Sequence, residues 1–199
     1  MTRHPSREEF AVCVGGVPGV GKTTLLRRHV AQVETRDRAI SGSSILGAVI
    51  APTDFDEFDG WPEPQRVAAR EEAIRRLEVE RRTTPGRLLV DGHYTLRSRR
   101  DGQLAPVFTL ADRRFYAAIV LVEGTVAEVR AWRGGDPRNR GPEDPATIQE
   151  HLAAERLEAL RLAREMGVPY LVVPAVDQVR GVRILSEFLN RQAPFGGRT

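Results

Sequence analysis

Cysteine is almost absent from this chain of 199 residues: Cys13 is the only one. No internal disulfide can form, and the pattern fits a reducing compartment. Long hydrophobic runs are missing as well. Stretches such as AAIVLVEG at 117–124 fall well short of the roughly 20 apolar residues of a membrane helix. The opening MTRHPSREEF lacks the apolar segment of a signal peptide. A cytoplasmic protein that does not engage a membrane is therefore expected. The net charge is +3, but the charges are mixed in sign and no block of five like charges occurs, so nucleic acid is not the expected partner. Lysine is nearly missing too. Of the 30 basic residues, all but one are arginine, and the exception is Lys22. A general bias toward arginine spared one position, where a compact ammonium on a flexible stem serves and a planar guanidinium does not fit.

What is present suits one globular domain over residues 1–199, with 41% hydrophobic and 29% charged residues. Five short apolar segments read as strands: FAVCV (10–14), RAIS (38–41), RLLVD (87–91), AAIVLV (117–122) and PYLVV (169–173). Helical patterns separate them. LLRRHVAQVE follows a glycine-rich loop, and a segment near 64–82 spaces Val67, Ile74 and Leu77 helically. Another near 125–133 carries Val126 and Val129. The longest, 145–166, aligns Ile148, Leu152, Leu157, Leu160 and Ala163 and stops at Gly167 and Pro169. The last, near 177–191, carries Val179, Val182, Leu185 and Leu189. Strands alternating with helices predict an α/β fold with a five-stranded parallel sheet flanked by helices. Two stretches read as working loops: the acidic, aromatic 51–64 and the Arg-rich 133–144.

The segment GVPGVGKTT fits GxxxxGK(S/T), directly after the first strand and before the first helix. In that setting Gly16, Pro18, Gly19, Val20, Gly21, Lys22, Thr23 and Thr24 form a phosphate-binding P-loop. Glycines let backbone N–H groups turn inward, and the helix N-terminus adds positive potential. Lys22 is expected to reach the β- and γ-phosphates of ATP, and the Thr23 hydroxyl to ligate Mg²⁺. The third strand ends in Asp91, facing the crevice of an open sheet, and Asp91 is the natural partner of Thr23 at the metal. Gly92 follows, where a water-splitting ATPase often places a glutamate, so transfer to an acceptor is favoured over hydrolysis. The stretch RAWRGGDPRNR supplies Arg133, Arg138 and Arg140 to close over a transferring phosphoryl group.

In order along the chain, GVPGVGKTT, VDGHY, RGGDPRNR and TIQEHLAAERLEA resemble the archaeal-type adenylate kinases and their P-loop nucleoside-monophosphate-kinase relatives. The resemblance implies a P-loop NTPase fold with a short Arg-rich lid at about 130–145 and an acceptor-binding insertion at about 42–82. It matches Asp91 and His93 to a strand ending in Asp-x-His. It matches Arg133, Asp136, Arg138 and Arg140 to the lid, and Ile148, His151, Arg156 and Ala159 to the next helix.

The acceptor stays open between two chemistries. A phosphate acceptor is already a nucleophile and needs arginines; Arg66, Arg70, Arg97 and Arg99 are candidates. A hydroxyl acceptor, on a small metabolite or antibiotic, needs a carboxylate such as Asp54, Asp56 or Asp91. His93 is a further acceptor-side candidate, and Phe55, Phe58 and Trp61 are candidates to stack on a base. A nucleoside monophosphate is the favoured acceptor, an ATPase switch is a third reading, and an oligomer is open.

Overall fold

The computed structural model describes residues 10–32, 35–98, 100–134 and 144–192. Its centre is a five-stranded parallel sheet. In chain order the strands are β1 (Ala11–Gly15), β2 (Arg38–Ser41), β3 (Leu88–Asp91), β6 (Tyr116–Glu123) and β7 (Tyr170–Pro174), and they lie in the order β2-β3-β1-β6-β7. Between β3 and β6 a small antiparallel pair intervenes, β4 (Thr95–Arg97) and β5 (Leu104–Pro106). The predicted sheet is present, each strand within one or two residues of its expected bounds. The β4–β5 pair was not anticipated, because three-residue strands carry too little alternation to read.

The central strands are buried on both faces, which explains why they read as continuous apolar runs. Period-2 alternation divides their side chains. Val12, Val14, Leu89, Val120 and Val173 face α1 (Lys22–Val30) and α8 (Gln178–Arg191), whose Leu25, Leu26, Val182, Leu185 and Leu189 complete that core. Ala11, Cys13, Leu88, Val90 and Ile119 face Ile74 and Leu77 of α4 (Glu63–Thr83) and Ala159 and Leu162 of α7 (Pro145–Met166). Two positions depart from the expected apolar faces. Leu157 and Val179 are 69% and 78% exposed.

The insertion between β2 and β3 contains more helix than expected. Besides α4 it holds α2 (Gly42–Ile50) and α3 (Phe55–Asp59), the latter inside the predicted loop. The Asp54 carboxylate caps α3 by accepting from the amides of Asp56 and Glu57 at 2.9 and 2.8 Å. Ile50, Phe58 and Ala69, joined by Leu46, Val49 and Trp61, make a small satellite core there. Phe58 and Trp61 are packing residues, with ring centroids 5.3 Å apart. The remaining helices are short: α5 (Leu110–Phe115), closed by a Thr109–Asp112 capping box, and α6 (Val126–Gly134).

Under α1 lies a buried polar knot. Asp37, just before β2, accepts from His29 Nε2 at 2.8 Å and from Arg87 Nε at 2.8 Å. Burial raises this carboxyl, but the bonds from His29 and Arg87 outweigh it and hold the group well below the usual carboxylate range.

Candidate active site

The turn from β1 into α1 is made by three glycines with positive φ: Gly16 at 144°, Gly19 at 83° and Gly21 at 94°. Two of them are also fixed by crowding. A Cβ on Gly16 would lie 2.4 Å from the Val122 carbonyl oxygen, and one on Gly21 would lie 1.8 Å from the Trp132 ring. Only glycine meets both demands. Gly21 caps α1 without a side-chain bond, and no acidic residue occupies the first turn. The helix N-terminus therefore faces the crevice as an anion site. Val20 is buried in the core beneath the loop, Pro18 is half-buried and Thr24 is exposed.

Lys22 lies across the loop, 5% exposed. Its ammonium donates to the carbonyls of Gly16 at 2.7 Å and Val17 at 3.1 Å, and stands 3.9 Å from Asp91 Oδ1. The Thr23 hydroxyl donates to Asp91 Oδ2 at 2.5 Å. A hydroxyl and a carboxylate meeting at the phosphate end of a crevice are hard oxygen donors of the kind Mg²⁺ takes alongside phosphate oxygens, so these residues fit that ion. His93 Nδ1 is 2.7 Å from the Gly16 carbonyl oxygen. A carbonyl only accepts, so the proton sits on Nδ1. The imidazole thus braces the loop. The Tyr94 hydroxyl, fully buried, donates to the Val120 carbonyl at 2.8 Å and accepts from the Gly15 amide at 3.2 Å.

Arg133, at the end of α6, is 8% exposed and donates through Nε and Nη2 to the Pro18 carbonyl, both at 3.0 Å. It is thus docked on the outer wall of the phosphate loop. Arg138 and Arg140, with Asp136, lie outside the described residues, as does the acceptor-side candidate Arg99, so Arg133 is the one of the three predicted catalytic arginines that can be described.

The acceptor-side candidates sit elsewhere. Arg66 pairs with Glu63 at 2.5 Å and Asp59 at 3.5 Å. Arg70 lies 3.7 Å from Glu63, with its guanidinium 5.8 Å from the Phe58 ring centroid. Arg97 donates to the Gly102 carbonyl and to Glu150, each at 2.5 Å. Asp54 is the helix cap already described. None of these four lines the pocket beside the phosphate loop. That pocket, about 240 Å³, is walled by Thr23, Leu26, Arg27, Val30, Ala39, Ile40, Ser41 and Asp91. Arg27 and Ser41 were not singled out in the sequence. Their signal was position: one turn past the motif threonine Thr23, and the C-terminal end of a parallel strand.

A glutamate was missed as well. Glu155 of α7 is 1% exposed. Burial pushes its carboxyl up to about 7, against lowering by the Thr95 amide, the Lys22 charge and the Tyr94 amide. Its spacing held the clue. It falls on the apolar stripe Ile148, Leu152, Ala159 and Leu162, where a carboxylate must find donors or stay neutral.

Glycine turn, buried ammonium, hydroxyl–carboxylate pair and open sheet together define a nucleotide-binding P-loop protein. The family model described as an AAA domain (AAA_17) matches residues 15–151, and the chain belongs to that family. Adenylate kinase of Pyrococcus furiosus is 24% identical over 159 residues, covering 77% of this chain and 80% of that protein. Among solved structures, a gluconokinase from Sinorhizobium meliloti aligns with a TM-score of 0.55 at 18% identity, over 94% of this chain and 95% of its own. Shikimate kinase from Bacteroides thetaiotaomicron aligns with a TM-score of 0.51 at 13% identity, over 91% and 98%. These likenesses bear out the expected α/β fold. Among the described residues no helix is long and apolar enough to cross a membrane.

Proposed function

We propose that the chain, an ATP-dependent kinase, transfers the γ-phosphoryl group of ATP–Mg²⁺ to a hydroxyl of a small metabolite held between α1 and β2. The observation that carries this reading is the pocket directly beside the Thr23–Asp91 pair. At about 240 Å³ it is below the usual 300–1,000 Å³ of sites for larger ligands. Among the described residues, Asp91 is the one carboxylate on its wall and Arg27 the one cation. A phosphate acceptor needs several cations to offset its charge, whereas a neutral hydroxyl acceptor needs only an oxygen to orient it, and its proton leaves to solvent as the phosphoryl group transfers.

In this reading the loop amides and Lys22 hold the β- and γ-phosphates. Thr23 and Asp91 would hold Mg²⁺, which supplies charge neutralisation on the phosphates when bound. Arg138 and Arg140 of the lid, with Arg133 once it leaves the Pro18 carbonyl, would offset the charge spread over the transferring group. His93 keeps the loop in shape from below. Asp54, Arg66 and Arg97 act at a distance, by keeping the acceptor flank folded.

A nucleoside monophosphate is the second reading, and the resemblance to the Pyrococcus adenylate kinase favours it. It requires Arg66, Arg70 or Arg97 to leave the carboxylates that hold them. ADP release measured with ATP, Mg²⁺ and a panel of acceptors separates the two. Turnover with sugars, sugar acids or aminoglycoside-like polyols, and none with nucleoside monophosphates, is the expected result. Turnover confined to nucleoside monophosphates overturns the first reading, and acceptor-independent hydrolysis overturns both.

A further inference from the structure

The end of β3 and the loop after it carry two groups that touch the phosphate loop: Asp91, the last strand residue, on Thr23, and His93 on Gly16. The sheet holds the Asp91 backbone between Val14 and Ser41, and the Gly92 amide donates to the Val14 carbonyl at 3.1 Å. There the chain leaves the sheet at a flexible glycine, and the next hold, which limits how the strand end can turn its carboxylate, comes from α7. Glu155 Oε1 accepts from the amides of Tyr94 at 3.1 Å and Thr95 at 3.0 Å, and from the Thr95 hydroxyl at 3.4 Å, while Oε2 lies 3.2 Å from the Tyr94 amide. One turn earlier, His151 Nε2 donates to the Thr95 carbonyl at 3.3 Å. The helix thus grips Thr95 by its N–H and its C=O, four residues from Asp91. Two consecutive amides aimed at one buried carboxylate form a rigid clamp, because moving either partner leaves a donor unpaired out of water.

We infer that Glu155 is a positioning residue for the metal-side pair: by clamping the 94–95 amides to α7 it sets Asp91 against Thr23. This rests on the phosphate-loop reading above. The clamp needs an acceptor oxygen and not a negative charge, since a glutamine in place of Glu155 can present Oε1 to the same three donors. With its carboxyl raised toward neutrality by burial, the side chain already works where charge is disfavoured.

Calorimetric titration of ADP, with and without magnesium chloride, tests this in the full chain. The loop amides and Lys22 hold phosphates in either condition, but only a well-placed Asp91 adds the magnesium-dependent gain. For Glu155→Ala the expected result is loss of that gain by about tenfold or more, with magnesium-free affinity within about threefold of wild type. Glu155→Gln should restore most of the gain. If Glu155→Ala does not fold, Glu155→Asp carries the test, because its retracted carboxylate cannot reach both amides. A full magnesium gain in the Ala or Asp variant, or equal loss in the Gln variant, overturns the clamp while the phosphate-loop reading stands. Wild-type protein that binds no ADP overturns the phosphate-loop reading and the clamp together. Wild-type protein that binds ADP without any magnesium gain overturns the metal-side pair and, with it, the clamp.

Discussion

The two sides of the crevice are built on opposite terms. On the phosphate side, backbone does the work. Three left-handed glycines, an uncapped helix N-terminus and carbonyls at 2.7 and 3.1 Å from one ammonium form a cradle with few alternatives. On the acceptor flank, charged side chains pair with each other, Arg66 with Glu63 and Asp59 and Arg97 with Glu150, while Nε of each arginine is buried without an acceptor. A group whose partners are main-chain atoms is fixed by the fold. A group paired to another side chain can be re-paired by changing a few residues. Substitution on the phosphate side should therefore cost more than substitution on the acceptor flank.

Mutations should reveal this asymmetry, starting with the largest effect. Lys22→Ala removes the one ammonium in the cradle and should lower turnover by at least about a hundredfold, measured as ADP release with the best acceptor. Unchanged turnover would erase the distinction between the two sides. Gly21→Ala places a methyl inside the Trp132 ring at a φ disfavoured for L-residues. It should cost about 1–3 kcal/mol, read as a lower Tm and weaker ADP binding. The foundation of the loop is tested by acid. Asp37 titrates below its unfolded value, so its stabilisation is present above about pH 4 and is lost as pH falls through the lower folded value. Asp37→Asn should flatten that part of a Tm-against-pH curve and lower Tm at pH 7. On the acceptor flank, Asp54→Ala removes a helix cap and should cost about 1 kcal/mol, with the ATP KM unchanged. An altered ATP KM would show that the two sides are mechanically joined there.

Legibility in the sequence followed the same division. The phosphate loop could be read whole because its chemistry is local: glycines, lysine and threonine act within nine residues, between a strand and a helix that both announce themselves. Asp91 was legible because a strand end fixes where its side chain faces. Arg66, Arg97 and Asp54 were the right residue types for an acceptor site, but pairing with Glu63, Asp59, Glu150 and local amides is decided by tertiary neighbours that no spacing encodes. Glu155 stayed hidden for the opposite reason. In sequence it looks like one more surface glutamate of a charged helix, and only its place on the apolar stripe betrays it. Helix α3 was read as loop because Pro, Gly and Asp crowd the stretch around a helix of only five residues.

The chain has two tryptophans, and they stand in different parts of the fold. Trp132 covers Gly21 at the start of α1, and Trp61 packs on Phe58 in the satellite core. The phosphate loop and the insertion between β2 and β3 thus each carry a built-in fluorophore. With Trp61→Phe and Trp132→Phe as complementary single-emitter proteins, rearrangement of the loop and of the insertion can be followed in separate optical channels, without a label.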